Sequence, residues 1–181
     1  MLKLTVVATL VASPLFALMA QEKAIVQEPE YVNVVLYLDP ATGALQPLER
    51  QKPNSSTKVK ALGLGGATGK IVFEGARSPI RYKAGEEIQF VVRGLSSEVE
   101  PDSQVGLRVL VVSKNERGIV SMKVTLGGAK SMQGEAARRL TFSKYGERST
   151  RFSPAQPLEP GEYVINIKGG STDFLFGIDP K

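Results

Sequence analysis

The side chains that most often carry out chemistry are unevenly represented in this chain. It contains no histidine and no cysteine, so it can build no Ser-His-Asp triad, no thiolate nucleophile and no histidine- or cysteine-ligated zinc site. Its eighteen acidic residues leave carboxylate chemistry and oxygen-ligated calcium open. Glu98, Glu100 and Asp102 lie close in sequence, and Asp173 and Asp179 flank the last predicted strand. None of them has the spacing of a calcium loop, but a glycosidase-type carboxylate pair stays an alternative.

Two short segments match catalytic motifs only in part. GLGGATGK, residues 63–70, has Leu64 where a Walker loop needs glycine and is followed by Ile71 where it needs serine or threonine. Ser55 and Lys58 have the Ser-x-x-Lys spacing of penicillin-recognising enzymes, but no helix is predicted there to carry the serine. We interpret the first segment as a flexible connector and the second as part of a loop.

Basic residues dominate residues 103–156, where ten of them stand against three acids. The simpler interpretation is that these basic side chains lie on the solvent-exposed faces of strands. The alternative is a basic surface for an anionic partner, such as lipid headgroups or a polyanionic glycan. The candidate binding residues are Lys114, Arg117, Lys123, Arg138, Arg139, Lys144, Arg148 and Arg151. The aromatic interleaving of a single-strand binder is sparse here, which argues against nucleic acid. No cofactor is implied.

Short strands carry these residues. Before and after a turn at Gly169 and Gly170, apolar residues alternate with polar ones, at positions 163, 165 and 167 and at 174, 176 and 178. This pattern predicts a C-terminal hairpin. Further strands are predicted over residues 31–38, 44–50, 58–62, 71–74, 80–82, 87–93, 107–112, 120–126, 140–142 and 150–152. No segment after residue 20 has a helical period over twelve or more residues, so the fold is predicted to be all-β.

Several expectations concern faces, edges and loops. Residues 31–38 are expected to turn Val32, Val34, Leu36 and Leu38 toward the core. Pro47 marks an edge strand, because it cannot donate a ladder hydrogen bond. The apolar run 107–112 reads as a central strand covered on both faces. Residues 95–105 and 127–139 are expected to be long loops, the second with one helical turn at 134–139.

The first twenty residues have the features of a secretory signal peptide. Lys3 precedes an apolar run at residues 4–18, which as a helix would span only about 22 Å and is too short for a bilayer. We expect cleavage after Ala20, with Ala17 as the alternative, and a periplasmic or secreted bacterial protein with no transmembrane segment in the mature chain. The predicted organisation is a signal peptide at 1–20, an N-terminal β-meander at 21–62 and a β-sandwich at 70–181.

The segment LEPGEY, residues 158–163, resembles the tyrosine corner of immunoglobulin-like and fibronectin type III-like sandwiches. The resemblance implies an immunoglobulin-like antiparallel β-sandwich in which the Tyr163 hydroxyl bonds backbone a few residues upstream. The chain lacks the tryptophan and both cysteines of antibody domains. Residues 170–179 are similar to the ends of exported bacterial domains, which implies no particular activity.

Together these observations favour a non-enzymatic exported β-sandwich that binds or braces a protein, glycan or lipid of the cell envelope through a basic face. One alternative is a subunit or assembly factor that pairs through a sheet edge, for which Pro47 and the N-terminal meander are the motivation. A second alternative is a carbohydrate-active enzyme with paired carboxylates.

Overall fold

Strands make up nearly all the regular structure of the computed structural model, which describes residues 26–59, 66–125, 128–131 and 137–181. Within these residues the strands are β1 Val35–Leu38, β2 Leu45–Pro47, β3 Glu49–Gln51, β4 Asn54–Val59, β5 Ala67–Glu74, β6 Arg81–Lys83, β7 Gln89–Arg93, β8 Val105–Ser113, β9 Glu116–Thr125, β10 Gly128–Ser131, β11 Ala137–Arg138, β12 Leu140–Tyr145, β13 Ser149–Pro154, β14 Gly161–Ile167 and β15 Asp173–Asp179. A 3₁₀ turn, Pro101–Ser103, precedes β8. No helix in the described part is long and apolar enough to cross a bilayer.

The strands form two sheets, and the predicted all-β class is confirmed. One sheet has five strands in the order β12-β13-β7-β1-β2. The other has the order β3-β15-β14-β8-β9-β5-β4. In addition, β6 pairs with β15, β10 with β9 and β11 with β8. The pairs between neighbours are antiparallel except β6, which runs parallel to β15.

The main core lies between the five-stranded sheet and the β15-β14-β8 part of the larger sheet. The apolar residues at positions 163, 165, 167, 174, 176 and 178 all enter this core, as their alternation predicted. Phe90 and Val92 of β7 come from the facing sheet, and Ile88, directly before that strand, joins them. Rings stack at the centre, where the centroids of Tyr163 and Phe176 are 5.5 Å apart. The fold is therefore two antiparallel sheets packed face to face.

The larger sheet also covers part of its own outer face. Strands β4, β5, β9 and β10, here called the arm, continue this sheet beyond β8. Phe73 of β5 and Ile119 of β9 pack against Val164 and Leu175, which point away from the main core. A second, smaller apolar cluster results. Strands β14 and β15 are thus covered on both faces, which explains why Val164 and Leu175 are apolar although they lie between the positions that enter the main core.

Turn chemistry fixes the connection from β1 to β2 as the sequence predicts. Asp39 Oδ1 accepts a hydrogen bond from the Ala41 backbone N–H at 2.9 Å, and Gly43 takes a φ of 71°. A hydrogen bond from an aspartate side chain to the backbone N–H two residues later is typical of tight turns, and so is a glycine with a left-handed backbone conformation.

The predicted strand at 31–38 is wrong in its length and in its core face. Only Val35–Leu38 is a strand, and the residues of its fully buried core face are Val35 and Tyr37. Of the four residues predicted to face the core, Leu38 is buried and Val34 packs partly buried against the core, whereas Leu36 is only half-buried. The cause is a turn before the strand: Asn33 has a positive φ of 58° and donates its N–H to the Arg93 carbonyl at 2.9 Å. This turn shifts the alternation by one residue and leaves Val32 exposed.

The predicted strand at 44–50 is two strands in different sheets. The chain leaves the five-stranded sheet after Pro47, buries Leu48 between the layers and joins β15 of the larger sheet through β3. Pro47 does lie on the edge strand β2, as expected. The next strand, β4, begins at Asn54 inside the predicted loop, because pairing with β5 orders its polar residues.

The predictions for residues 107–112 and 134–139 are also wrong in part. Strand β8 is covered at Leu107 and Leu110, but Val111 and Val112 extend beyond the core and are exposed. The expected helical turn at 134–139 is contradicted where it is described, since Ala137–Arg138 pairs with β8 as a strand. Residues 60–62 of the predicted strand 58–62, residues 63–65 of the predicted connector, and Leu126 lie outside the described residues. The rest of the connector prediction is wrong, because β5 already begins at Ala67 and pairs with β9. The domain boundaries stay a prediction, although β4 and β5 pair with each other across the connector.

Candidate functional site

The eight predicted binding residues lie in separate parts of the fold. Lys114 is exposed in the turn between β8 and β9, with a positive φ of 43°. Lys123 lies within β9, where its backbone is paired with Thr68 and Lys130 on the neighbouring strands. Arg117 is buried, and the other five lie on or directly before the β12–β13 hairpin.

Arg117 cannot belong to a basic surface, because its side chain is 0% exposed. Its guanidinium bonds Glu49 Oε1 at 2.5 Å through Nη2 and Glu162 Oε2 at 3.0 Å through Nη1. The prediction for this residue is therefore corrected: its charge is neutralised inside the protein. The sequence concealed this, because Glu162 alternates with core residues as a solvent-facing acid would.

Arg117 belongs to a balanced ion cluster between the arm and the sandwich. Arg81 bonds the same Glu162 through its other oxygen and binds Asp179 at 2.8 Å. The backbone N–H of Ser78 donates to Glu162 at 2.8 Å. The cluster comprises Arg77, Arg81 and Arg117 against Glu49, Glu162 and Asp179. Three cations meet three anions, so no charge is left buried alone.

The remaining arginines and lysine of the hairpin do not share one location. Arg138 and Arg139 precede β12, whereas Lys144 and Arg148 lie at the far end, beside the hairpin turn. Four residues of extended strand, 140–143, separate Arg139 from Lys144, which places these two side chains' backbones about 17 Å apart. Arg151 lies between them and donates through Nε to the Ser143 hydroxyl at 3.1 Å. The sequence could identify these cations but not their division into two groups.

Arg138 and Arg139 stand between two surface recesses, and this pair is the candidate site. One recess, of about 530 Å³, is lined by the two arginines and residues 155–159. The other, of about 570 Å³, adds Asp102, Val105 and Leu140. Both arginines are exposed, and the Arg139 carbonyl accepts a hydrogen bond from Ala155 N–H at 2.9 Å. Each recess also holds one acid, Glu159 in the first and Asp102 in the second.

A tyrosine corner supports the wall of this site. The Tyr163 hydroxyl donates to the Glu159 carbonyl at 2.7 Å, which confirms the hydrogen bond predicted from LEPGEY. Burial raises the pKa of Tyr163, and the nearby Arg138 opposes that rise. The corner fixes the 155–160 loop against β14, so the recess has a rigid side.

The predicted carboxylate candidates are dispersed. Glu98, Glu100 and Asp102 are exposed in the loop before β8. Asp173 and Asp179 lie at opposite ends of β15, about 20 Å apart along an extended strand. Glycosidase carboxylates are about 5–9.5 Å apart, so these two cannot form such a pair. No three metal-ligating side chains lie together in the described part of the chain.

At the other end of the hairpin, Glu28 binds the turn. Its carboxylate accepts the backbone N–H groups of Glu147 at 2.6 Å and Arg148 at 3.0 Å and the Ser149 hydroxyl at 2.6 Å. These bonds, the one from Ser149 above all, lower the pKa of Glu28 to about 2. Residues 26–30, here called the N-terminal strap, are also held by Arg93, which donates to the Glu30 carbonyl at 2.9 Å.

The arrangement therefore combines a rigid corner, an exposed arginine pair between two recesses, and no cluster of catalytic side chains among the described residues. Comparison with known protein families, with curated proteins and with solved structures finds no match to this chain.

Proposed function

We propose that this protein is a non-enzymatic binding module of the bacterial cell envelope that holds an anionic group at Arg138 and Arg139. The supporting observation is the position of that pair, exposed and adjacent between two recesses. Arginine suits the role because its planar guanidinium binds carboxylate and phosphate oxygens in a bidentate manner. The neighbouring corner keeps the loop wall in place, so little order has to be gained on binding.

The same proposal includes the finer fold and the location. The tyrosine-corner bond and the two packed sheets support an immunoglobulin-like sandwich, and residues 1–20 support export. If export removes the leader after Ala20, N-terminal sequencing of the secreted protein begins at Gln21. A start at Leu18 would move the cleavage to the alternative site, and an uncut chain would contradict this part of the proposal.

Binding to anionic and neutral vesicles tests the function. The full protein is mixed with vesicles of phosphatidylcholine alone, vesicles half phosphatidylglycerol, and a soluble polyuronate. We expect binding to the anionic vesicles, the polyuronate or both, and none to the neutral vesicles. Raising the salt from about 0.01 M to about 0.1 M should weaken binding steeply, because the Debye length falls from ~30 Å to ~10 Å. Binding that ignores salt, or no binding, would contradict the proposal.

A matched pair of variants locates the contact. Arg139→Gln should weaken binding about tenfold, which corresponds to about 1.4 kcal/mol. Lys144→Gln removes the same charge about 17 Å away and should change binding little. Equal losses for the two variants would indicate general attraction to a basic protein and would reject the site. Arg139 is the better choice than Arg138, because Arg138 lies beside the corner tyrosine.

A second candidate function is pairing through a sheet edge. Strand β4, Asn54–Val59, is the last strand of the larger sheet and pairs on one side with β5. An edge strand of six residues offers backbone donors and acceptors to another chain. If pairing occurs, the mass in solution exceeds that of one chain and Ser56→Pro restores the monomer. A monomer at all concentrations, with no partner captured from envelope extract, would remove this candidate.

A further inference from the structure

A small cavity lies between the arm and the sandwich, remote from the arginine recess. Its volume is about 260 Å³, just below the ~300 Å³ at which sites for drug-sized ligands begin. Strands β5 and β9 form one side, and β8, β14 and the turn before β15 form the other. None of the residues that line this cavity belongs to the proposed anion contact or to the ion cluster.

One side of the cavity is apolar. Ile71, Phe73, Ile119 and Val164 belong to the second apolar cluster and also line the cavity. Ile71 is the partly buried member, so its side chain is the most accessible of the four. The binding of a ligand that covered this wall would be more favourable in proportion to the apolar area that it removes from water.

The opposite side contains an arginine whose hydrogen bonding is incomplete. Arg108 donates through Nη1 to the Asn166 side-chain oxygen. Its Nε is buried and has no partner among the described residues. A buried N–H without an acceptor costs free energy, and the Nε–Nη edge of a guanidinium fits two oxygens of one carboxylate. The cavity therefore offers an unused donor to an acceptor oxygen.

The charges around the cavity favour one negative charge. Arg108 and Lys168 are cationic, and Asp173 is the acid of the lining. A monoanion would balance the three side chains. A cation would meet two like charges, and a dianion would be opposed by Asp173. The apolar wall further selects an anion with a small apolar body over an inorganic oxyanion.

We infer that this cavity is a binding site for a small monocarboxylate with an apolar body, such as an aromatic or short branched acid. Its carboxylate meets the Arg108 guanidinium, and its apolar part lies against Ile71 and the neighbouring wall. The site is separate from the arginine recess and does not depend on the proposed function.

Titration of the full protein with phenylacetate, followed by nitrogen-15 NMR of the arginine Nε–H groups, tests the inference. We expect the Arg108 Nε resonance to shift on binding in the millimolar range. Phenylacetamide, which has the same body without the charge, should bind at least tenfold more weakly. Sulfate should not reproduce the shift. Phenylacetate at about 10 mM is at ten times a dissociation constant of ~1 mM, so the absence of a shift at that concentration would overturn the inference. Equal binding of phenylacetamide would also overturn it.

Three variants make the test specific. Arg108→Lys keeps the charge but removes the Nε–H and should weaken phenylacetate binding about tenfold. Ile71→Trp should fill the cavity without changing its charge, so it should also weaken phenylacetate binding. This variant keeps the test decisive if Arg108→Lys does not fold. Arg139→Gln, in the other recess, should leave phenylacetate binding unchanged. If Arg139→Gln abolishes it while Ile71→Trp does not, the ligand binds elsewhere and the assignment is wrong.

Discussion

At the residue scale, the Tyr163 hydroxyl shows how one polar atom can set the path of a loop. Its bond to Glu159 bridges the turn that enters β14, while its ring stacks on Phe176 in the main core. This bond was implied by the resemblance of LEPGEY to the tyrosine corner of immunoglobulin-like sandwiches. The neighbouring Glu162 was not predictable in the same way, since its partner Arg117 is forty-five positions away.

Tyr163→Phe should lower the free energy of unfolding by about 1 kcal/mol, the net value of one such hydrogen bond. Urea denaturation followed by fluorescence or circular dichroism measures the loss. Tyr31→Phe is the control, because the Tyr31 side chain is 66% exposed and its change should have no measurable effect. An unchanged midpoint for Tyr163→Phe would mean that the corner bond contributes nothing to stability.

At the scale of elements, the arm depends on both apolar packing and the ion cluster. Phe73 and Ile119 supply the packing, and Arg117 supplies a buried link to Glu49 of β3 and Glu162 of β14. Val164 and Leu175 are apolar although they lie between core-facing positions, as residues of strands covered on both faces are. They did not show what covers the outer face, because hydrophobic period reports burial and not the identity of the neighbour.

Arg117→Met should destabilise the protein by about 3 kcal/mol, since removing one partner leaves Glu49 and Glu162 partly unpaired in a buried place. Hydrogen exchange should accelerate most in β5 and β9, because the arm loses its link to the sandwich. Lys114→Met, an exposed change in the adjacent turn, should stay within about 0.5 kcal/mol of the wild type.

The double variant Arg117→Met with Glu49→Gln should recover part of the loss, because one of the stranded charges is gone. A loss below about 1 kcal/mol in the single variant, or uniform acceleration of exchange across both sheets, would argue that the ion cluster does not hold the arm in place.

At the scale of the whole molecule, pH acts on stability in two opposite directions. The pKa values of Glu28, Asp39 and Asp179 are lowered, chiefly by hydrogen bonds from Ser149, from the Ala41 backbone and from Arg81 respectively. These acids stabilise the fold above pH ~4, and their contribution is lost as the pH falls through their lowered pKa values, which for Glu28 means toward pH about 2. The pKa of Asp173 is raised to about 6 by burial, against the attraction of Arg108.

The stability of the protein should therefore fall as the pH rises from ~4 to ~6. Over that range the Asp173 carboxyl is still protonated in the folded protein but already ionised in the unfolded chain. Asp173→Asn should remove the decline and stabilise the protein at pH 7. The full shift corresponds to about 3 kcal/mol, and solvent screening at this half-buried site reduces the expected gain to about 1 kcal/mol. Urea denaturation at several pH values measures it. Asp102→Asn, in an exposed loop, should leave the profile unchanged, and a persisting decline in Asp173→Asn would exclude Asp173 as its cause.

The predictability of this molecule differs with scale for a physical reason. Local rules were sufficient where contacts are near in sequence, as in the 39–43 turn, the C-terminal hairpin and the tyrosine corner. They failed where a distant segment decides, as at Asn33, whose bond to Arg93 shifts the face of β1. The candidate arginines were identified from composition alone, but their grouping depends on strand direction and on the burial of Arg117.

The Glu28 anchor also has a practical use for immobilised or tagged protein. Because the strap is fixed at the β12–β13 turn, its residues lie at that pole of the sandwich. Lys181 lies beside Gly85, near the pole where β14 begins and the arginine recess opens. A support coupled through an exposed strap residue such as Gln27 thus keeps the recess facing the solution, whereas a C-terminal tag crowds it.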